Sequence, residues 1–528
     1  MGTVQRPNRL ILLVILGLSA VLAACSSGGG KGGSSQNNRD TIPDSFTLTT
    51  PSGVDPTKVG FGTAVVSAPV KITGINAPAP VSIQGGEFKI DNGAFSSSAG
   101  TISNGQSIQV RVQTPIKAEQ TATAILTIGG VEASFTVTTG PDTTPPEVSI
   151  LFPPPASMTE GQTLFVRGTV KDVHGALEDG AITVNGVEAE LELNETKDEG
   201  TWSVTVDLQP GENIVEVTAI DVAKNANEED KPSVRSRRVE SIVGESFPDN
   251  ENPFGKSIKA DISWENANPV AYVADSTALK VFKVDLNTGN RTILADNEGF
   301  SEELKFQEPW GIHLGSNNKL YVSDITRRAV FEIDLKDGTR SIISSISGTW
   351  LTGLLLRLEN NKEVLYIGEL QGKIFRIDLE DKEQTLLIDS RLGLNPGGEQ
   401  YPSVFDLEYS ANEDGIFVSC RNGIYLIRQD EQVAYFDAPS QAITSVVSSV
   451  SDGLYYVNSY EYLVYYLDGP NGQAIPVSNI EAENRPLEIW GIAGDKNLGY
   501  LLIIDMQNGL IAMDHKSFSR VIISKSVN

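Results

Sequence analysis

Cysteine occurs twice in 528 residues, histidine three times and methionine four times. Each scarcity excludes something. Two cysteines, Cys25 and Cys420, cannot build a disulfide framework. The histidines, His174, His313 and His515, are scattered without ligand-like spacing, which argues against a multi-histidine metal centre. Basic residues are outnumbered, 41 Lys and Arg against 68 Asp and Glu, for a formal net charge of −27. A surface that acidic repels a phosphate backbone, so nucleic acid is set aside as a partner. Beyond the N-terminus no apolar run approaches the roughly 20 residues that a spanning helix needs. Serine-hydrolase elbows, phosphate-binding loops and paired-histidine zinc motifs are likewise missing from the sequence.

What the chain does contain is turn chemistry and repetition. It has 49 glycines and 26 prolines, and its length exceeds what one core can fill. Short alternating runs fill residues 43–141: Ala64–Val66, Ile108–Val112, Ala124–Ile128 and Ala133–Val137, punctuated by Asn92-Gly93, Asn104-Gly105 and Gly129-Gly130. Residues 142–240 repeat the style after a proline-rich joint, with Leu164–Val166, Ile182–Val184, Trp202–Val206 and Ile214–Ala219. Such spacing predicts β-sandwiches, with Trp202 in the core. Asp172, Glu178 and Asp179 lack calcium-loop spacing and are read as a solvated turn.

From 250 to 528 one pattern returns about every 40–50 residues. Its copies are Tyr272–Asp275, Tyr321–Asp324, Tyr366–Glu369, Phe417–Cys420, Tyr456–Ser459 and Leu502–Asp505. Each sits among three further short strands, which is the content of a propeller blade. Turns such as Asp285-Leu286-Asn287-Thr288-Gly289 join the third and fourth strands, with Asp capping its own backbone and Gly supplying positive φ. The fold class is therefore all-β: two sandwich modules followed by a six-bladed propeller. The ring can close through 239–243 or through the final strand 521–524, and the sequence leaves both open.

The N-terminus carries an address. Arg6 and Arg9 precede the apolar stretch 10–20, the pattern of a secretory signal. It ends Leu22-Ala23-Ala24-Cys25, which resembles a bacterial lipobox. The resemblance implies a lipoprotein signal peptide over 1–24 and lipid on Cys25. Ser26 in the next position implies outer-membrane sorting, on its periplasmic or surface face. Residues 25–42 are a Gly/Ser-rich tether. Both β modules resemble bacterial immunoglobulin-like domains. The repeated half resembles NHL-repeat and SMP-30/gluconolactonase-like propellers. Asp324 followed by Arg327 and Arg328 matches an NHL arrangement, which implies a structural ion pair.

Innermost strands line a propeller channel, so candidate binding residues lie there. By their spacing in the repeat, Asp261, Gly311, Gly353, Asp406, Ser445 and Gly491 fall at one level. Asp261 and Asp406 then face each other, and with Asp275, Asp324, Glu369 and Asp505 they could ring a hard cation such as Ca²⁺. The competing reading has these acids bonding blade-top amides. Trp310 and Trp490 precede equivalent glycines and are read as inter-blade packing ahead of a sugar platform. The expected function is a membrane-anchored binding or scaffolding protein whose propeller contacts a protein or glycan. The alternative is a Ca²⁺-dependent lactonase-like hydrolase, although the first-strand Glu of that family has no counterpart here.

Overall fold

The structure is a computed structural model. It describes residues 38–229, 231–248, 251–346, 349–388, 403–410, 413–428, 431–437, 442–448, 453–469, 472–478, 484 and 486–526, with only the backbone of 431–437. The signal peptide, Cys25 and the tether up to residue 37 lie outside the described residues. All described secondary structure is β.

The chain separates into two compact units. The first contains most of the N-terminal module, built as two four-stranded antiparallel sheets. Alternation decides which face is buried: in Ser107–Gln113 every second residue, Ile108, Val110 and Val112, is fully enclosed. Gly129 and Gly130 turn one hairpin with φ of 56° and 91°.

The second unit holds the second module and the propeller. In the module, Glu190–Leu193, Glu199–Asp207, Thr163–Lys171 and Glu147–Phe152 form one sheet. Trp202 lies in the core as expected, its indole N–H donating to the Thr169 carbonyl at 3.1 Å. Asp172 does not lie in a solvated turn. It is 1% exposed, because its loop folds inward and its carboxylate caps the backbone N–H groups of His174 and Gly175.

The propeller comprises six four-stranded antiparallel blades, at 257–295, 309–345, 351–388, 404–437, 443–476 and 489–524. The innermost strands touch their neighbours in cyclic order, the first against the sixth, which closes the ring. Second strands such as Lys319–Asp324 and Tyr500–Asp505 are enclosed on both faces by adjoining blades, which is why they read as continuous apolar runs. In the fifth blade the repeat is Tyr455–Asn458, one residue earlier than the expected Tyr456–Ser459, because the strand ends at Asn458.

Of the two closures, the final strand wins: Arg520–Ser524 completes its own blade, and among the described residues of 239–248 only Phe247 forms a bridge to the last blade, with Lys525. A second junction was not anticipated. Ala156–Thr159 of the second module pairs with Ser233–Arg238 on one side and, through Met158 and Ile522, with the outer strand of the last blade. One nine-stranded sheet thus runs from the module into the propeller. Arg167 of the module forms a buried ion pair with Asp514 of the last blade. Asn484 accepts from the Glu160 N–H at 3.0 Å and donates to the Thr159 hydroxyl and the Arg520 carbonyl, both at 2.7 Å.

Candidate functional site: the propeller channel and its mouth

One backbone hydrogen bond recurs in all six blades and marks the mouth. The residue after the second strand donates to the residue before the first: Ser276 to Lys256, Ile325 to Glu308, Leu370 to Trp350, Arg421 to Ser403, Ser459 to Ala442 and Met506 to Glu488, at 2.9–3.3 Å. The repeat acids sit just beneath. Asp324 accepts from the N–H groups of Gln307, Glu308 and Arg327 at 2.7–3.0 Å. Asp505 accepts from those of Leu487, Glu488, Gln507 and Asn508 at 2.6–2.9 Å. Asp275 takes N–H groups from Gly255 and Ala278 and the Ser257 hydroxyl, and Glu369 takes the Lys373 N–H. Burial raises the Asp275 and Asp505 pKa values above the usual carboxylate value, and the backbone donors oppose that shift. These side chains clamp the blade tops; they do not form a ring around an open axis. Asn458 fills the role in the fifth blade, and the buried thiol Cys420 occupies the place in the fourth.

The expected pair of Asp324 with Arg327 and Arg328 is not formed. Arg327 donates its guanidinium to the carbonyls of Glu302 and Glu303, and Arg328 lies over the Trp350 ring at 5.8 Å. Both carboxylate oxygens of Asp324 already receive main-chain N–H groups, which leaves the guanidinium groups to other acceptors.

Each inner strand carries a bulge near its start, between Ser257 and Lys259, Pro309 and Ile312, Leu351 and Leu354, Val404 and Asp406, Ile443 and Ser445, and Ile489 and Gly491. Pairing with the second strands sets a different register from the one that the sequence spacing implies. The upper channel layer is Lys259, Gly311, Gly353, Asp406, Ser445 and Gly491; Asp261 belongs two residues deeper, with His313, Leu355, Glu408, Val447 and Ala493. Asp261 and Asp406 therefore do not face each other at one level. The residue level with Asp406 in the first blade is Lys259, and the two pair at 2.5 Å.

This pair sets the electrostatics. Lys259 is almost fully enclosed and also donates to the Thr444 carbonyl at 2.7 Å. Burial pulls its ammonium below the ordinary lysine value, and Asp406 counters the fall. Asp406 further accepts the Ser445 hydroxyl at 2.7 Å. The cation beside Asp406 is thus a side chain of the protein, at a position for which the sequence left Ca²⁺ as one of two readings. Asp261 spends its oxygens on the N–H groups of Ile262 and Leu314, with the His313 imidazole 3.5 Å away. Burial pushes the Glu408 carboxyl up to about 7, against the donors of Ser448.

The glycines of the upper layer exist because neighbouring inner strands converge. A Cβ on Gly311 would lie 2.1 Å from the Thr352 carbonyl oxygen, and one on Gly491 2.5 Å from that of Ile258. Between the layers lies a space of about 70 Å³, lined by Lys259, Asp261, His313, Asp406 and Glu408 among others. That admits a few waters; small-molecule sites run to roughly 300–1,000 Å³.

Trp310 and Trp490 meet each other. They belong to the second and sixth blades, and their rings touch edge to face at 5.4 Å across the start of the first blade. Both remain half-buried. Trp350 and Tyr460, 44% and 62% exposed, stand on the same mouth, with Arg328 against the indole and Arg421 reaching the phenol at 3.5 Å. Sequence reading missed Lys259, His313 and Glu408 as channel residues. The available signal was polar residues at inward positions of otherwise apolar first strands, Ile258-Lys259-Ala260-Asp261 and Asp406-Leu407-Glu408.

The fold and site define an all-β protein that joins immunoglobulin-like modules to a six-bladed propeller. The model of the family "glucodextranase, domain B" matches residues 146–233, the second module. No curated protein matches the sequence. A structural-genomics protein of unknown function from Bacteroides thetaiotaomicron is 16% identical, with 70% of this chain and 97% of that one covered, at a TM-score of 0.37. Virginiamycin B lyase from Staphylococcus aureus, an inactive form with quinupristin, is 13% identical over 53% of this chain and 89% of its own, at 0.39. The PQQ-bound aldose sugar dehydrogenase from Streptomyces coelicolor is also 13% identical, over 53% and 95%, at 0.36. Likenesses at this level carry no argument about chemistry.

Proposed function

We propose that this chain is a lipid-anchored binding protein of the bacterial cell envelope, held to the outer membrane through Cys25, whose propeller mouth engages a protein or glycan. The observation that carries the reading is the aromatic and arginine cluster of the mouth, with Trp350 and Tyr460 exposed beside Arg328 and Arg421. Trp, Tyr and Arg dominate the energetics of binding surfaces, and exposed indoles also stack on sugars. The channel beneath supports a structural role, since the Asp406 carboxylate is paired internally with Lys259.

The test is partner capture from envelope extracts together with glycan-array binding. A Trp350→Ala, Tyr460→Ala double variant should lose at least about tenfold in affinity, a hot-spot effect. Asp261→Asn should bind as the wild type does. Binding that ignores the mouth and depends on Asp261 would overturn the reading. A second reading, a Ca²⁺-dependent lactonase-like hydrolase, draws on Asp261, His313 and Glu408 at one channel level, with the Glu408 pKa near 7. It requires metal-dependent lactone cleavage that disappears in Asp261→Asn.

A further inference from the structure

Three carboxylates converge in the second unit far from the channel residues in sequence. Asp142 lies on the proline-rich joint, Asp172 in the loop after Thr163–Lys171, and Asp221 in the loop after Gly211–Ala219. Their ligand oxygens all lie within 4.8 Å of one another, and the residues are 8%, 1% and 0% exposed. Formally they carry three negative charges in a buried space.

Their hydrogen bonds leave one oxygen of Asp142 and one of Asp172 unmet. Asp142 Oδ1 accepts the N–H and hydroxyl of Thr144 at 2.9 and 2.8 Å. Asp172 Oδ1 accepts the N–H groups of His174 and Gly175 at 3.1 and 2.7 Å. Asp221 accepts the Asn225 main-chain N–H at 2.8 Å and its carboxamide at 2.7 Å. Asp142 Oδ2 and Asp172 Oδ2 are buried with no hydrogen-bond partner among the described residues. Both converge on one place: a Cβ on Gly175 would sit 2.3 Å from the first and 2.4 Å from the second.

The nearby cation does not neutralise them. Lys117 donates its ammonium to the carbonyls of Asp172 and Gly175 at 3.0 and 2.9 Å, and pairs with Asp198 at 2.9 Å. The His174 ring turns away, bonding the Ile116 carbonyl and stacking on Phe61. Two buried, unpartnered carboxylate oxygens at like-charged neighbours are costly unless a cation joins them. The donors are all oxygen, which suits a hard cation that tolerates irregular geometry and completes its shell with water.

We propose that Asp142, Asp172 and Asp221 bind one Ca²⁺, which pins the joint at Asp142 to the two loops of the second module. The proposal is independent of the propeller reading and of the channel.

The test is equilibrium dialysis and thermal melting of the chelator-stripped protein with CaCl₂. Wild type should bind one Ca²⁺ per chain, with a Kd of roughly 10⁻⁴ M or tighter, and its melting temperature should rise by at least about 4 °C at saturation. Asp172→Asn should lose both effects. Without calcium it should melt above the wild type, because one repelling charge is gone. Asp261→Asn, in the channel, should keep the ion. A wild-type protein that neither binds Ca²⁺ nor shifts its melting temperature overturns the proposal, as does an ion kept in Asp172→Asn and lost in Asp261→Asn. Should Asp172→Asn fail to fold, the wild-type stoichiometry and melting shift still decide.

Discussion

Glu408 shows how a single residue reports the electrostatics of the channel. Its carboxyl titrates near 7 in the folded protein against an ordinary value of 4.5, because burial penalises the anion. Between those values the folded state holds a proton that the unfolded state has released. Stability should therefore fall as pH rises from about 4.5 to 7, by an amount on the order of 2–3 kcal/mol. Urea denaturation at several pH values measures that slope, and Glu408→Gln should flatten it. The residues that matter here were hard to read from the sequence. Lys259 carries no local signal that singles it out, and the spacing aligns Asp261 with Asp406. Every inner strand starts with a bulge of one extra residue, so the channel level is fixed by pairing with the second strand, Lys259 opposite Ala274 and Asp406 opposite Ser419, and nothing local announces that pairing. Asp172 departs from its sequence reading too: it lies buried with Asp142 and Asp221, which are distant in the chain.

At the scale of elements, the blade repeats were legible because they obey local rules. The Asp285 turn caps its own amides, Asn287 and Thr288 donating at 2.8 and 3.0 Å, and Gly289 takes φ of 73°. The acids at the ends of four second strands, Asp275, Asp324, Glu369 and Asp505, accept main-chain N–H groups, so their charge is consumed by the fold. The inner strands follow a different constraint, which is space. Gly311→Ala would drive a methyl to 2.1 Å from the Thr352 carbonyl and spread the second and third blades. A loss of about 1–3 kcal/mol is expected from denaturant melts, with the mouth tryptophans changing their fluorescence. An unaltered stability would mean that the inner strands can separate freely.

At the scale of the whole molecule, the second module is continuous with the propeller; a swivelling spacer would need a boundary that the nine-stranded sheet does not provide. Arg167 and Asp514 stitch the same junction in a buried setting. Arg167→Met would strand the Asp514 carboxylate. Calorimetry should then resolve the module from the propeller, where the wild type unfolds them together, with a loss of about 3–5 kcal/mol. A single unchanged transition would show that the sheet pairing through Met158 suffices alone. The sequence by itself determined the all-β class, the two modules and the sixfold repeat, since strand alternation and turn residues act over a few positions. Tertiary structure alone decided that the last strand closes its own blade, that Lys259 faces Asp406, and that Asp142, Asp172 and Asp221 share one buried space. Those outcomes depend on register and on contacts between distant segments, and a local pattern encodes neither.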